Sequence, residues 1–390
     1  MKKMNLAILG AGRIAISMAT TVSQMEEVHL YAVAARDGAR AKAFAEKYGV
    51  EKSYGSYEEM LCDEQVDLVY IATPHSLHCE QAKLCIAHGK PVLCEKAFAM
   101  NARETREMLN YAHEKGVFIA EAMWARYTPQ AQKLRELACG IGAGTTGKRE
   151  TFDEGKCPGD GSGRPQGRIG TIIGLTANLG YQVMNKERLI RPELGGGALL
   201  DLGVYTMNFA TWILGDDVQS LTTSMVPLEA DGDISYWREP TAVSSEKKAG
   251  TVETPPREAR RQDVQPMQNA SREAGTVDKS EFINLVYPDG TIAGLFNTME
   301  AVTDRRGIIF GTEGRIEVEN VNNFGEIRIY NNRYELVETI PQPQQISGYE
   351  YEVLACKRAL EQGKLECEEM PHAHTLRVME LLDEIRSEWE

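Results

Sequence analysis

The chain has 390 residues, of which 42% are hydrophobic and 26% are charged, and its formal net charge is −14. A chain of this length exceeds what one compact core holds, so we expect a globular protein of two domains. Acidic residues outnumber basic ones, and the sequence has no extended cluster of lysines and arginines, which excludes a surface for nucleic acid.

The amino terminus and the cysteines indicate a cytoplasmic protein. Gly10 and Gly12 interrupt the first apolar run before it reaches the length of about seven residues that a signal peptide needs. No run approaches the roughly 18 apolar residues of a membrane span, so we expect no contact with a membrane. The eight cysteines contain no Cys-x-x-Cys pair. We therefore expect reduced thiols and no metal site.

The first third of the chain alternates between strand and helix signals. The predicted strands are 6–9, 28–35, 66–72, 91–94 and 117–120, and the predicted helices are 14–25, 39–48, 56–61, 78–88 and 102–115. Apolar strands that alternate with amphipathic helices form a parallel sheet covered on both faces. This pattern predicts a doubly wound, Rossmann-type domain over residues 1–123, with its ligand at the carboxyl ends of the strands.

A glycine-rich turn follows the first predicted strand, with Gly10, Gly12 and Ala15 in a Gly-x-Gly-x-x-Ala pattern. The first glycine permits a tight turn, and the second lets a pyrophosphate approach the backbone. Free N–H groups at the start of the next helix also favour an anion. We predict that Gly10, Gly12, Arg13 and Ile14 bind a dinucleotide. The alternative is an ordinary glycine turn.

The end of the second predicted strand bears on the choice of nucleotide. In proteins that bind NAD, an acidic residue at this position usually binds the ribose 2′-hydroxyl. Here the strand ends in Ala34 and Ala35, and Arg36 and Arg40 follow. Arginine binds phosphate through fixed pairs of donors, so the pattern favours NADP, with NAD left possible. Alternatively, both arginines are solvated charges at a helix start that Asp37 caps.

The pattern changes after residue 123. Predicted helices are 129–137, 198–214, 349–362 and 375–388, and predicted strands are 171–180, 282–287, 291–299, 306–310, 315–318 and 326–330. They predict an α+β domain over 124–390, with an open, largely antiparallel sheet and helices on one face. Two polar segments, near 139–168 and 229–279, are poor in apolar residues, so we expect mobile insertions there.

Three side chains outside the glycine turn could carry chemistry. Lys96 follows a predicted strand at the ligand edge of the sheet, where an ammonium can hold a hydroxyl or lower the pKa of an acid. Asp201 and Tyr205 are four residues apart, so they share one face of a helix. They could form an acid–base pair for a substrate. The alternatives are a surface lysine and a structural Asp–Tyr pair.

Together these motifs resemble the glucose–fructose oxidoreductase and inositol dehydrogenase family (Gfo/Idh/MocA). The matching segments are 10–15, 72–78, 95–96, 124–129 and 195–205. Within the family, the chain is most similar to the group of dimeric dihydrodiol dehydrogenases and NADP-linked xylose dehydrogenases. The resemblance implies a homodimer or a homotetramer, and it extends over most of the chain outside the two polar segments.

The resemblance also implies roles for individual side chains. Those implied near the cofactor are Thr73, Pro74, His78, Glu95, Lys96, Trp124 and Arg126, and those facing the substrate are Asp201 and Tyr205. The chain departs from the family at Ala97, where a proline after a cis peptide is usual. A cis bond before alanine costs about 3 kcal/mol, so we expect a trans peptide here.

These observations predict an oxidoreductase that moves hydride between NADP and a secondary alcohol of a sugar, a polyol or a cyclic trans-diol. Tyr205 would accept the hydroxyl proton, Lys96 would lower the pKa of Tyr205 from about 10, and Asp201 would hold a neighbouring hydroxyl. Two alternatives remain open. One is a non-catalytic sensor of NAD(P) or sugar, and the other is a sugar epimerase or lyase that retains its cofactor.

Overall fold

The computed structural model describes residues 3–140, 166–228 and 277–389. Most of the two polar segments expected to be mobile, near 139–168 and 229–279, lies outside these residues. The described residues form one sheet of six strands and another of nine strands, each with helices packed against it.

The first sheet is parallel throughout. Its strands are β1 (Met4–Leu9), β2 (Val28–Ala34), β3 (Lys52–Tyr54), β4 (Leu68–Ile71), β5 (Val92–Glu95) and β6 (Ile119–Ala122). They lie in the order β3-β2-β1-β4-β5-β6, and each neighbouring pair is parallel. The strand order reverses between β1 and β4, because successive strands are added on one side of β1 up to β3 and on the other side from β4 onwards. In a doubly wound sheet, this point leaves a crevice that binds a ligand. The predicted architecture is confirmed.

Helices cover both faces of this sheet. They are α1 (Arg13–Val22), α2 (Gly38–Tyr48), α3 (Tyr57–Leu61), α4 (His78–Ala87) and α5 (Ala102–Lys115). Local chemistry explains where α5 begins and ends. The Asn101 side chain accepts a hydrogen bond from the Glu104 N–H at 2.9 Å, and Gly116 ends the helix with a φ of 63°.

The second sheet is mixed and mostly antiparallel. Its strands are β7 (Gln166–Gly167), β8 (Gly170–Gly180), β9 (Ser220–Pro227), β10 (Asp278–Val286), β11 (Ile292–Thr298), β12 (Gly307–Gly311), β13 (Gly314–Val318), β14 (Ile327–Asn331) and β15 (Leu336–Ile340). The main path runs β15-β14-β13-β12-β8-β11-β10-β9, and β8 and β11 are parallel. The predicted α+β domain is confirmed, although β7, β9 and β15 were not predicted.

Helices of the second domain accompany this sheet. They are α6 (Pro129–Cys139), α7 (Val204–Leu214), α8 (Tyr349–Glu361) and α9 (His372–Ser387), with a π-helical turn at Leu199–Gly203 before α7. The inward side chains of the strands, such as Ile283 and Leu295, are fully buried. On the other face Phe282 and Phe296 lie opposite each other and are 46% and 37% exposed.

One sequence prediction about the cysteines is wrong. Cys139 is disulfide-bonded, whereas the six other cysteines of the described ranges are free. The prediction of reduced thiols rested on the absence of Cys-x-x-Cys pairs, and the spacing of cysteines alone does not show which of them are paired.

None of the helices in the described ranges is long and apolar enough to cross a membrane. The cytoplasmic location stays a prediction.

Candidate functional site

A cavity of about 1120 Å³ opens at the carboxyl ends of β1 and β4, where the order of the first sheet reverses. The first domain contributes the glycine turn and the ends of β2, β4 and β5. The second domain contributes residues 181–188, the π-helical turn and the start of α7. The cavity therefore lies between the two domains.

The glycine turn forms one end of this cavity. Gly10 has a φ of 102°, and a Cβ on it would lie only 2.8 Å from Cγ2 of Thr73. Gly12 precedes α1, which has neither a side-chain cap nor an acidic residue in its first turn. Arg13 and Ile14 also line the cavity. The N–H groups at this helix start are therefore available to an anion such as a pyrophosphate.

The end of β2 supplies the arginines that the sequence singled out. Arg36 and Arg40 both line the cavity. Asp37 caps α2 by accepting hydrogen bonds from the backbone N–H groups of Ala39 and Arg40 at 2.9 and 3.3 Å. The Asp37 cap is therefore confirmed, and the arginines lie at this helix start and also line the cavity, while their binding of a 2′-phosphate stays a prediction. The Asp37 carboxylate is engaged in the cap.

The residues after β4 divide into two groups. Thr73 and Pro74 line the cavity, as does His75, which the sequence analysis did not select. Burial lowers the pKa of His75 to about 3, so this ring is neutral. His78 was expected beside the cofactor, but its side chain is fully buried and does not line the cavity. Its ring nitrogens lie 3.0 and 2.9 Å from the carbonyl oxygens of Ala97 and Thr73.

The peptide between Lys96 and Ala97 is cis. The expectation of a trans peptide was therefore wrong. The backbone at this position has the conformation that the family resemblance implies, in spite of the alanine.

Lys96, Arg188 and Asp201 meet at the inner end of the cavity. Nζ of Lys96 lies 2.7 Å from the backbone oxygen of Asp201 and 3.2 Å from its carboxylate. A guanidinium nitrogen of Arg188 lies 2.9 Å from the same carboxylate oxygen. Burial alone would raise the pKa of Asp201, but the two cations hold it well below its usual range. Asp201 is thus a buried carboxylate shared by two cations.

Tyr205 lies beside this group, at the start of α7. Its hydroxyl oxygen accepts a hydrogen bond from Nε1 of Trp124 at 2.9 Å, and the Trp124 ring stacks on Tyr349 with a centroid distance of 4.3 Å. Nζ of Lys96 lies over the Tyr205 ring, 4.7 Å from its centroid. Three of the predicted residues, Lys96, Asp201 and Tyr205, are therefore brought together.

The pKa of Tyr205 differs from the sequence expectation. Burial, followed by the nearby Tyr349 and Glu95, raises the pKa of Tyr205 well above its ordinary value. Lys96 is not among the main causes of this shift, so the expected lowering of the pKa towards neutral pH is not observed, and burial outweighs it. The hydrogen bond from Trp124 acts in the lowering direction.

Glu95 ends β5 at the floor of the cavity. Its carboxylate accepts a hydrogen bond from the Tyr70 hydroxyl and lies 3.2 Å from the Lys96 backbone nitrogen. Burial raises the pKa of Glu95 to about 7. The carboxyl group is therefore partly protonated near neutral pH.

Arg126 does not lie where the sequence analysis placed it. Its side chain is buried, its guanidinium lies 3.7 Å from the centroid of the Trp212 ring, and it donates a hydrogen bond to the Glu369 carbonyl at 3.0 Å. These contacts join the segment after β6 to the helices of the second domain. Arg126 does not line the cavity, so its predicted place beside the nicotinamide is wrong, whereas its place at the domain junction holds.

Several residues that line the inner end were not predicted from the sequence, namely Tyr181, Lys186, Arg188 and Tyr349. Three of them lie in the segment after β8, which has no regular spacing of apolar residues. Tyr349 begins α8 and is brought here by its contact with Trp124. A sequence signal for these residues is weak, because their role depends on contacts with distant parts of the chain.

Comparisons with known proteins agree with this architecture. The family model described as "Oxidoreductase family, NAD-binding Rossmann fold" matches residues 4–123, and the model of the GFO/IDH/MocA C-terminal domain matches residues 165–317. The two models thus follow the two domains in order along the chain.

Curated relatives include trans-1,2-dihydrobenzene-1,2-diol dehydrogenases of vertebrates. The mouse enzyme is 38% identical over 210 residues, which are 53% of this chain and 55% of the relative. The chain therefore matches about half the length of this relative. The zebrafish enzyme is 26% identical over 388 residues, which are 97% of this chain and 95% of the relative.

Solved structures share the fold at low sequence identity. A 3-ketoreductase from Actinomadura kijaniata, in complex with NADP and TDP-benzene, has a TM-score of 0.72 and 20% identity over 99% of this chain and 98% of its own. An aldose–aldose oxidoreductase from Caulobacter crescentus has a TM-score of 0.73 and 18% identity over 99% and 97%. With both family models matched in order along the chain, the protein belongs to the Gfo/Idh/MocA oxidoreductase family.

Proposed function

We propose that the protein is an NADP-dependent dehydrogenase that acts on a secondary alcohol of a sugar, a polyol or a cyclic trans-diol, or on the corresponding ketone. The observation that carries this proposal is the meeting of Lys96, Asp201 and Tyr205 in one cavity with the glycine turn. An ammonium, a carboxylate and a phenol beside a nucleotide site can accept or donate the hydroxyl proton that is transferred together with the hydride.

The cofactor end of the cavity fits a nicotinamide dinucleotide. The uncapped start of α1 and Arg13 would hold the pyrophosphate. Arg36 and Arg40 would hold a 2′-phosphate, since both line the cavity and the nearby Asp37 carboxylate uses Oδ1 to cap α2. Bound there, NADP would supply or accept the hydride. These contacts favour NADP over NAD.

Tyr205 is the group best placed to move the proton. Its oxygen accepts the Trp124 N–H, so its own O–H remains free to donate to a substrate oxygen. Because burial raises its pKa, the phenol keeps its proton near neutral pH. Tyr205 is therefore suited to protonate the oxygen of a ketone during reduction, and to take the proton back during oxidation. The Trp124 N–H stabilises the phenolate form in either direction.

Lys96 and Asp201 act together beside the phenol. Asp201 anchors the Lys96 ammonium through its carboxylate and its backbone oxygen. An ammonium has three donors, so one remains for a substrate hydroxyl. Because two cations share the Asp201 carboxylate, we assign it mainly to positioning Lys96, with a neighbouring substrate hydroxyl as a further partner.

The test is a panel of sugars, polyols and trans-diols, each offered with NADP and with NAD, with nicotinamide absorbance as the readout. We expect NADP to be reduced by at least one class of alcohol, and more efficiently than NAD. Tight binding of NADP without any change in absorbance would favour a sensor. A sugar that is altered without a net change in absorbance would favour an epimerase or lyase that retains its cofactor.

We also propose that two copies of the chain associate through the outer face of the second sheet. Phe282, Phe296 and Ile292 expose apolar surface there, and no described residue covers them. Light scattering in solution tests this proposal. Phe282→Lys should shift the protein towards the monomer, whereas Ile346→Lys, at a residue of similar exposure outside the sheet, should not.

A further inference from the structure

The two ends of the cavity are lined by different sets of charged side chains. Three arginines, Arg13, Arg36 and Arg40, line the cofactor end. The inner end, where the proposed function places the substrate, has its own set of charges. Its cations are Lys96, Lys186 and Arg188, and its carboxylates are Glu95 and Asp201.

The carboxylates at the inner end do not balance the cations. Asp201 is shared between Lys96 and Arg188, whose nitrogens lie 3.2 and 2.9 Å from the same carboxylate oxygen. Glu95 is buried, and its raised pKa of about 7 leaves it partly protonated near neutral pH. Lys96 and Arg188 therefore already use the full charge of Asp201, and a third cation adds to an excess of positive charge.

Lys186 is this third cation. Its side chain is half-buried, and its ammonium forms neither an ion pair nor a hydrogen bond with any residue that the structure describes. Burial lowers the pKa of Lys186, and the nearby Arg13, Arg188 and Lys96 act in the same direction. An ammonium in such a place is poorly solvated and repelled by its neighbours, so a bound anion would stabilise it.

The segment that carries Lys186 relates it to the substrate end. Leu189 donates a backbone hydrogen bond to the Lys186 carbonyl at 2.9 Å, which closes a short helical turn. Two residues after Lys186, Arg188 reaches the Asp201 carboxylate. Asp201 is also a charged neighbour of Lys186 and acts to raise its pKa. The turn therefore brings Lys186 and Arg188 to the cavity, where the charged neighbours of Lys186 include Asp201 and Lys96 as well as Arg13 of the cofactor end.

We propose that the substrate carries an anionic group, a carboxylate or a phosphate, and that Lys186 is its counter-ion, with Arg188 beside it. This inference rests on the proposed function, since it adds a charged substituent to the sugar, polyol or diol that the dehydrogenase acts on. A neutral substrate would offer the ammonium of Lys186 no counter-charge. Lys186 therefore acts as a specificity-determining residue that selects acidic sugars over neutral ones.

Binding to the full-length protein saturated with NADPH tests the proposal, because an alcohol cannot be oxidised in that complex. The probes are matched sets: glucuronate, glucose and the terminal phosphate ester of glucose, and the same three forms of galactose. Calorimetry gives the dissociation constant of each. We expect the anionic member of at least one set to bind about tenfold more tightly than the neutral sugar, as a charge-assisted contact would provide. The probe that binds more tightly, the uronate or the phosphate ester, shows whether the anionic group of the substrate is a carboxylate or a phosphate.

The variant Lys186→Met should remove this preference and leave the binding of the neutral sugars unchanged. Arg191→Met is the matched control, since it removes a cation of the same segment that does not line the cavity and pairs with Glu187 and Glu193. The control should keep the preference. Added salt should weaken the anionic probes in the wild type and have little effect on the neutral sugars.

Two results would overturn the proposal. One is equal binding of anionic and neutral members in every set. The other is a Lys186→Met variant that loses affinity for NADPH but keeps its preference among the probes, which would assign Lys186 to the pyrophosphate. Either result leaves the proposed dehydrogenase in place if NADP is still reduced by neutral alcohols. Conversely, selective binding of anions without any turnover would retain this inference and remove the enzymatic one.

Discussion

The two ends of the cavity are built in different ways. At the cofactor end, exposed arginines and an uncapped helix start surround a glycine turn, and all of these residues lie within the first 40 of the chain. At the inner end, the largely buried pair Lys96 and Asp201, which lie 105 positions apart in the chain, contacts the more exposed Arg188. One end is made by local sequence and the other by tertiary packing. Substitutions should therefore affect binding at the first end, and both turnover and stability at the second.

The strongest test of the inner end is Tyr205→Phe. Removing the hydroxyl takes away the proposed proton donor while the ring stays in contact with Lys96. We expect kcat to fall by about 10³-fold, with the affinity for NADP unchanged, as measured by steady-state kinetics and by titration with NADPH. Tyr330→Phe, on β14 and outside the cavity, is the control for loss of a phenol hydroxyl. Unchanged turnover in Tyr205→Phe would remove this residue from the mechanism.

The variant Asp201→Asn tests whether the inner end also stabilises the fold. It leaves Lys96 and Arg188 without their shared counter-charge, which should lower the free energy of unfolding by about 3 kcal/mol. The pKa of Asp201 is lower in the folded protein than in the unfolded chain. Its stabilising effect is therefore complete above about pH 4 and is lost as the pH falls through the folded pKa.

Urea denaturation of both proteins, at neutral pH and in acid, measures this difference. The gap between wild type and Asp201→Asn should be widest at neutral pH and should close in acid. A gap that stays constant with pH would show that the ionised carboxylate does not stabilise the fold.

Arg40→Ala tests the cofactor end. Arg40 is exposed and lines the cavity, so its loss should weaken binding of a 2′-phosphate without unfolding the protein. We expect the ratio of kcat/KM for NADP over NAD to fall by about tenfold. Lys42→Ala, an exposed cation of the same helix outside the cavity, should leave the ratio unchanged. If Arg40→Ala leaves it unchanged as well, Arg40 does not select the cofactor.

The smallest effect is expected from Trp124→Phe, which keeps an aromatic ring against Tyr349 but removes the N–H that donates to Tyr205. Loss of one hydrogen bond to the phenol should lower kcat by about fivefold. Because this hydrogen bond lowers the pKa of Tyr205, the pH profile of alcohol oxidation should move to higher pH. A pH profile that does not move would assign Trp124 to packing alone.

Local patterns explain why most of the first domain could be predicted. Its apolar strands and its capped helices are each encoded by neighbouring residues, and the glycine turn needs only six positions. The strands that were missed, β3, β7, β9 and β15, are short or expose much of their length. Their apolar alternation is therefore weak, and their pairing depends on the partner strand.

The inner end shows where sequence patterns stop being informative. Lys96, Asp201 and Tyr205 could be selected because they lie in motifs, but their partners Arg188 and Trp124 meet them only through the packing of the two domains. The same limit explains why His78 and Arg126 were wrongly placed beside the cofactor. Their residue types suit a ligand, but both side chains are buried against other parts of the protein. Charge and spacing identify a candidate, and burial decides what it contacts.

The contact between Trp124 and Tyr205 gives the protein an optical reporter. Indole emission responds to hydrogen bonding at the ring nitrogen and to the polarity around the ring, and Trp124 both donates to the phenol and lines the cavity. The chain has only four tryptophans, so a change at one of them alters a large share of the total signal. Occupancy of the site can thus be followed in real time on the unlabelled protein, before any product has formed.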